Sequence, residues 1–178
     1  MKLLKIAWLF AIAFTLIFAS CKKENEETLP PATQIGAGTF GCKINGKVYV
    51  PKGSSGTGAP NPKVQYDLDL NGQPYLLINT SRYNGDKYLG EIFIIFKNLN
   101  SERNFSYPSD LEVSCGSPEI VPGCATIAFD TTIKKFGNGQ ITRLDITNRI
   151  ISGTFYFKYK TVQCDTVFVN DGRFDIKF

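Results

Sequence analysis

Hydrophobic and polar residues alternate along most of the chain from Thr39 onward, with the period of two that is typical of strands wet on one face. The alternation is clearest from Gly139 to Phe178, where it predicts four consecutive strands. Ile92–Phe96 is apolar at every position, which predicts a central strand buried on both faces. No helical apolar stripe interrupts this pattern. We therefore predict an all-β fold, an antiparallel β-sandwich, with a closed β-barrel as the alternative.

Three dipeptides predict hairpin turns, because Asn, Asp and Gly accept the positive φ that tight type I′ turns require. They are Asn45-Gly46, Asn71-Gly72 and Asp171-Gly172. Two-residue loops at the second and third turns would set four pairs of residues opposite each other: Leu68 with Tyr75, Tyr66 with Leu77, Val169 with Phe174, and Val167 with Ile176. The last two pairs share an apolar face, and Phe168 is the apolar exception on the polar face.

The N-terminal end, residues 1–20, has the form of a lipoprotein signal peptide. A short basic start is followed by an apolar run of 14 residues, Ile6–Ala19, which is shorter than the roughly 20 residues that span a bilayer. Phe18-Ala19-Ser20-Cys21 resembles the bacterial lipobox, in which the cysteine is acylated and becomes the first mature residue. The alternative is a chance thiol beside an ordinary cleavage site. An acylated Cys21 would hold the chain on a membrane, since each buried methylene contributes about 0.8 kcal/mol.

Residues 21–38 predict a lipidated cysteine followed by a disordered tether, because this segment is charged and proline-bearing and has little to bury. Fully extended, Lys22–Gly38 would reach at most roughly 55 to 60 Å. Residues 39–178 are the usual size of one domain. The acidic cluster after Cys21 resembles the export signal of surface lipoproteins in Bacteroidota, although charged tethers also serve solubility alone. We expect an outer-membrane, lipid-anchored and surface-exposed protein.

The composition argues against catalysis and against nucleic-acid binding. The chain has no histidine, which removes the commonest general base and the usual nitrogen ligand of zinc. Without the two lysines of the leader, 18 basic residues stand against 16 acidic ones, and they alternate instead of forming a basic patch. The carboxylate pairs Asp67 with Asp69 and Asp145 with Asp175 lack an evident apolar pocket for a catalytic acid. We expect no enzyme, no cofactor and no metal site.

The aspartates at positions 145 and 175 are instead expected to bind nearby arginines, for which the sequence offers three candidates: Arg143, Arg149 and Arg173.

Four cysteines besides Cys21 predict disulfides in an exported chain. Cys115 and Cys124 bracket a short loop, whose closure entropy is small. That pairing leaves Cys42 with Cys164, which would join the beginning of the domain to its end. The alternative is that Cys42 and Cys164 are buried free thiols.

Three stretches carry a resemblance to a known family: Gly38–Gly53 with its NGK, Gly139–Phe157 with its ISGTF, and Asp171–Phe178 with its GRFD. They are similar to the start and end of a Bacteroidota lipoprotein family known only as a domain of unknown function. The resemblance implies a lipid-anchored envelope protein with a β-rich domain. It implies no activity and assigns no site residue.

Two functions of different class follow from this reading. The first is a surface binding or adhesion module for a glycan or protein partner, with Tyr83 and Tyr88 as candidate exposed aromatics. Pro51–Pro62 and Ser106–Gly123 are predicted loops and candidate binding segments. The second is a non-enzymatic structural or assembly component of the outer membrane. The sequence leaves the oligomeric state open.

Overall fold

Two antiparallel sheets packed face to face make up the protein. The computed structural model describes residues 27–54, 58–117, 120–122, 133–160 and 165–178. The strands of these ranges are β1 (Thr39–Ile44), β2 (Lys47–Tyr49), β3 (Lys63–Leu68), β4 (Pro74–Asn84), β5 (Lys87–Phe96), β6 (Asn104–Ser106), β7 (Leu111–Gly116), β8 (Lys134–Asp145), β9 (Ile150–Lys160) and β10 (Val167–Lys177). One sheet has the order β2-β1-β10-β9-β8-β6 and the other β3-β4-β5-β7. The predicted antiparallel sandwich is confirmed.

The core lies between the sheets and is built from alternate residues of both. The four-stranded sheet contributes mainly buried aliphatic side chains such as Ile78 and Ile94, and the six-stranded sheet contributes both aromatic and aliphatic ones. Phe96 of β5 joins the two layers, because its ring centroid lies 5.1 Å from that of Phe105 and 5.8 Å from that of Phe174. Within the described residues, no helix is long and apolar enough to cross a membrane.

Within the described residues, the C-terminal end forms three long strands, β8, β9 and β10, so the prediction of four is wrong. β10 continues through Asp171-Gly172 and pairs with β9 on both sides, Val169 with Phe157 and Gly172 with Phe155. Asp171 has a φ of 54°, but it is the extra residue of a β-bulge and not part of a hairpin turn. Because the bulge adds one residue, Val169 before it and Phe174 after it both point toward the core. The four residues predicted for that face are therefore buried: Val167, Val169, Phe174 and Ile176.

The other two predicted turns differ in outcome. Asn45-Gly46 joins β1 to β2 with φ values of 48° and 82°, as predicted. At Asn71-Gly72 the predicted register is wrong by one residue, since Leu68 pairs with Pro74. The loop is longer than two residues because the Asp69 carboxylate accepts two backbone hydrogen bonds from within it, both of 2.8 Å.

β5 contains Ile92–Phe96 and lies between β4 and β7, as a central strand should. Its burial is one-sided and not complete on both faces as predicted: Phe93 and Ile95 are half-buried on the outer face. The second predicted loop, Ser106–Gly123, contains the strand β7. Alternation alone did not reveal β7, because its residues from Val113 onward are all buried.

Candidate functional site

The outer face of the six-stranded sheet carries the candidate site. Side chains alternate along a strand, so the outward residues of β8, β9 and β10 form cross-strand rows, which we call rungs. We number five rungs along β9 by their central residues: Ser152, Thr154, Tyr156, Lys158 and Lys160. Ser152 is 1% exposed although it points away from the core, whereas the other four are exposed.

The first rung is covered by residues 27–38, which we call the strap. Asp175 of β10 pairs with Ser152 on this rung, and its side chain is 1% exposed. Its carboxylate accepts hydrogen bonds from five donors: Thr33 Oγ1 (2.6 Å), Gly36 N (2.7 Å), Ser152 Oγ (2.8 Å), Ile35 N (3.0 Å) and Ala37 N (3.2 Å). Burial opposes ionisation, but these hydrogen bonds outweigh it and lower the pKa of Asp175 to about 2.

The strap differs from the expected disordered tether over residues 27–38. The strap makes two further contacts besides its hydrogen bonds to Asp175. Glu27 forms an ion pair of 2.5 Å with Arg82, and the Gln34 carbonyl accepts a hydrogen bond from Arg143. The physical reason is that the strap is held through backbone N–H groups and polar side chains, which do not require the apolar residues that the segment lacks. Residues 21–26 lie outside the described ranges.

A groove of about 770 Å³ lies on the second and third rungs, directly beside the strap. Its floor is the sheet itself, and its walls are Ala32 of the strap on one side and the edge strand β6 on the other. The residues around it are Ala32, Asn104, Ser106, Asn138, Gly139, Gln140, Thr154, Phe155, Tyr156, Asp171, Gly172 and Arg173. Ten of these twelve residues are uncharged, and six of the ten carry polar side chains.

Tyr156 is the central aromatic side chain of the groove and is 45% exposed. Asn138 Nδ2 donates a hydrogen bond of 2.6 Å to the Tyr156 hydroxyl, and Ser106 Oγ donates one of 2.8 Å to Asn138 Oδ1. This chain of bonds fixes the ring across the third rung. Within the part of the chain that the structure describes, the side chains of Gln140 and Thr154 form no hydrogen bond, so their polar groups face the groove unpaired.

The two charged residues of the groove are both held by neighbours. Lys43 Nζ lies 2.7 Å from Asp171 Oδ2, and this contact lowers the pKa of Asp171. Arg173 donates to the Pro30 carbonyl of the strap at 3.4 Å and to the Asp171 carbonyl at 3.3 Å. Both charged residues of the groove therefore lie on β10, and the floor over β9 and β8 is neutral.

Beyond the groove, the fourth and fifth rungs form what we call the aromatic–lysine patch: Phe136, Lys158, Phe168, Lys134 and Lys160. The two phenylalanines are 50% and 52% exposed and both pair with Lys158 in register. Lys158 Nζ lies 5.6 Å from the Phe136 ring centroid, and that centroid lies 6.2 Å from the ring of Tyr156. The patch thus continues the groove without a break.

The carboxylates considered from the sequence have structural roles. Asp69 closes the β3–β4 loop, and Asp145 binds Arg143 at 2.7 Å, which confirms the expected arginine partner. The corresponding expectation for Asp175 is wrong, since its partners are hydroxyl and backbone N–H groups. No cluster of three or more metal-ligating side chains occurs among the described residues.

Cys42 and Cys115 are both buried in the core, and neither forms a disulfide with another described residue. Burial raises the pKa of both, that of Cys115 to about 12. Cys115 belongs to β7 and not to a loop. The predicted partners Cys124 and Cys164 lie outside the described residues, as does Cys21, so the two disulfides and the lipidation stay predictions.

The aromatic residues that the sequence proposed are not those of the groove. Tyr83 and Tyr88 pack edge to face with ring centroids 5.6 Å apart and are half-buried. Sequence reasoning missed Tyr156 and Phe136. The available signal for Tyr156 was its position between two inward-facing phenylalanines, which placed an aromatic ring on the wet side of a strand.

Comparisons with known proteins add no relative. The sequence matches no family model and no curated protein, and no solved structure matches the chain. The similarity to a Bacteroidota lipoprotein family therefore stays a prediction.

Proposed function

We propose that this chain is a lipid-anchored envelope protein, displayed at the cell surface, that binds a glycan on the outer face of its six-stranded sheet. The observation that carries the proposal is the groove of about 770 Å³ around Tyr156. The predicted signal peptide and Cys21 supply the anchor and the location, and the groove supplies the binding site.

The chemistry of the groove suits a sugar. A pyranose ring has a face of C–H groups and an edge of hydroxyls. The C–H face packs on the electron-rich face of an aromatic ring such as Tyr156. The unpaired side chains of Gln140 and Thr154 offer a donor and acceptors to the hydroxyl edge. An apolar surface with a few placed polar groups is the usual composition of a ligand site.

The size and rigidity of the groove also favour binding. Ligand sites commonly have volumes of about 300 to 1,000 Å³, and this groove lies within that range. Its floor consists of paired strands, and Tyr156 is held by Asn138. Little order has to be gained when a ligand binds, which reduces the entropic cost of association.

The proposal is tested with the full-length chain, purified in non-ionic detergent, on a glycan array followed by titration calorimetry with the best ligand. We expect binding that Tyr156→Ala weakens about tenfold or more, because loss of a central aromatic contact commonly costs more than about 1.4 kcal/mol. The matched control is Tyr75→Ala, which removes a half-buried tyrosine from the four-stranded sheet.

Binding by the Tyr156→Ala variant at full strength would contradict the proposal. Absence of binding to every glycan would contradict it too, and would favour the structural or assembly role. The anchor is tested separately: Cys21→Ser should release the chain from membranes, and continued lipid labelling of that variant would refute acylation at this residue.

A further inference from the structure

The aromatic–lysine patch places three positive charges close together on one face of the sheet. Lys134 of β8 lies directly opposite Lys160 of β9, and Lys158 lies one rung away on the same face. Like charges directly opposite each other on a sheet are destabilising. None of the outward-facing residues on the fourth and fifth rungs is acidic.

These three lysines have no ion pair within the described residues, and they lie together on one face of the sheet. Other surface cations are paired, for example Lys43 with Asp171 and Arg103 with Asp110, at 2.7 and 2.5 Å. The sheet therefore bears an uncompensated positive charge at one end, beside two exposed phenylalanines. A ligand that brings negative charge to this place relieves the repulsion.

The patch and the groove are parts of one continuous surface. Tyr156 and Lys158 are two residues apart on β9, which separates them by about 6.6 Å along the strand. Phe136 bridges them from β8, with its ring near both. An extended ligand that lies on Tyr156 along β9 must therefore pass over the lysines.

We propose that the ligand is an anionic polysaccharide, whose ring faces pack on Tyr156 and Phe136 and whose carboxylate or sulfate groups bind Lys134, Lys158 and Lys160. This inference rests on the proposed function and adds the chemical class of the glycan. The neutral hydroxyl and amide lining of the groove fits the uncharged part of such a chain, and the lysines fit its substituents. A nucleic acid would instead place a phosphate at every step, including over the neutral groove.

The test compares matched polymers that differ only in charge. The full-length chain in non-ionic detergent is titrated with dextran and dextran sulfate, and with methyl-esterified and de-esterified polygalacturonate. We expect at least one anionic polymer to bind about tenfold or more tightly than its neutral partner. This advantage should shrink as salt rises from about 50 to about 300 mM, because exposed charges are screened over shorter distances.

Variants locate the effect on the patch. Lys134→Gln with Lys158→Gln should lose about tenfold in affinity for the anionic polymer, as expected for two exposed charge contacts, and change affinity for the neutral polymer less than about twofold. The matched control is Lys63→Gln with Lys87→Gln, which removes the same charge from exposed positions on the four-stranded sheet. The control should keep the anionic preference.

Each outcome separates this inference from the proposed function. Equal binding of neutral and anionic polymers that Tyr156→Ala abolishes would overturn the anionic class and leave glycan binding standing. An equal loss in the control variant, or tighter binding of a single-stranded oligonucleotide than of the anionic polymers, would overturn the inference. Failure to bind any glycan would remove both.

Discussion

The outer face of the six-stranded sheet has two parts that share the same strands and differ in what covers them. On the strapped part, Ser152 and Asp175 are each 1% exposed and fully occupied by hydrogen bonds within the chain. On the open part, Tyr156 is 45% exposed and the side chain of Gln140 has no hydrogen bond among the described residues. One sheet face is therefore closed by internal hydrogen bonds where the chain covers it and open to a ligand where it does not.

The chemistry of each part follows from its covering. An ionised carboxylate is costly to bury unless hydrogen-bond donors replace its water, and the strap brings four of its five donors to Asp175. The open part keeps its lysines in solvent, where a charge needs no partner to be tolerated. Changing the charge at Asp175 should therefore disturb folding, and changing it on the aromatic–lysine patch should disturb binding.

The largest effect is expected for Asp175→Asn. The amide places an NH₂ group where one carboxylate oxygen accepted hydrogen bonds, so buried donors lose their partners and stability should fall by about 2 to 4 kcal/mol. Urea unfolding measures the change. Asp171→Asn on the open part is the control, and its effect should be much smaller because that carboxylate is exposed. Equal effects of the two substitutions would show that the strapped carboxylate contributes no more to stability than the exposed one.

The next largest effect is expected from acid, which should destabilise the strapped part by protonating Asp175. The pKa of Asp175 is lowered to about 2 in the folded chain, against about 3.9 in an unfolded one. Its contribution is therefore complete above about pH 5 and is lost as the pH falls through 4 toward 2, which amounts to about 2 to 3 kcal/mol. The difference in pH dependence between wild type and Asp175→Asn isolates this residue, since the other aspartates remain in both.

No such change is expected between about pH 6 and 8, because the chain has no histidine. A stability transition in that range, shared by wild type and Asp175→Asn, would show that a different group controls the pH response.

Ser152 and Thr154 are successive outward residues of β9, and the first lies on the strapped part and the second on the open part. Ser152→Ala removes a buried donor to Asp175, 2.8 Å away, and should lower stability by about 1 to 2 kcal/mol. Thr154 lies in the open groove, so Thr154→Ala should lower stability by less than about 0.5 kcal/mol. The same unfolding assay compares both. A larger loss from Thr154→Ala would mean that the open part also contributes to folding.

The smallest effect, and the only gain, is expected for Lys160→Glu. The substitution turns the like-charged pair with Lys134 into an opposite-charged one, which should stabilise the sheet by a few tenths of a kcal/mol at low salt. Unfolding at low and high salt measures it. The same variant should bind anionic polysaccharide more weakly than wild type, so that stability and binding move in opposite directions.

The fold class and the inward face were predictable from the sequence because both depend on local information. Alternation placed Val167 and Phe174 in the core, and this holds although Asp171-Gly172 forms a bulge and not a turn. The error arose because an Asp-Gly dipeptide suits the positive φ of both geometries. Similarly, the register at Leu68 depended on a side chain of the loop, which alternation does not report.

The candidate site was less predictable because it is assembled from residues far apart in the sequence. Tyr156 meets Asn138 and Ser106 only through the pairing of three strands. Asp175 finds its strap donors up to 142 residues away, so the strap had the composition of a tether and no local sign of its docking. Long-range strand order is the information that a single sequence lacks.

The strap also bears on the predicted membrane anchor, because it sets how far the domain could stand from a bilayer that holds Cys21. With Glu27 held by Arg82, the stretch that remains between an acylated Cys21 and the domain measures at most about 20 Å at full extension, against the 55 to 60 Å expected for a free tether. A shorter tether confines the domain to a much smaller volume above the bilayer. A partner fixed in the same membrane would therefore meet it at an effective concentration roughly an order of magnitude higher.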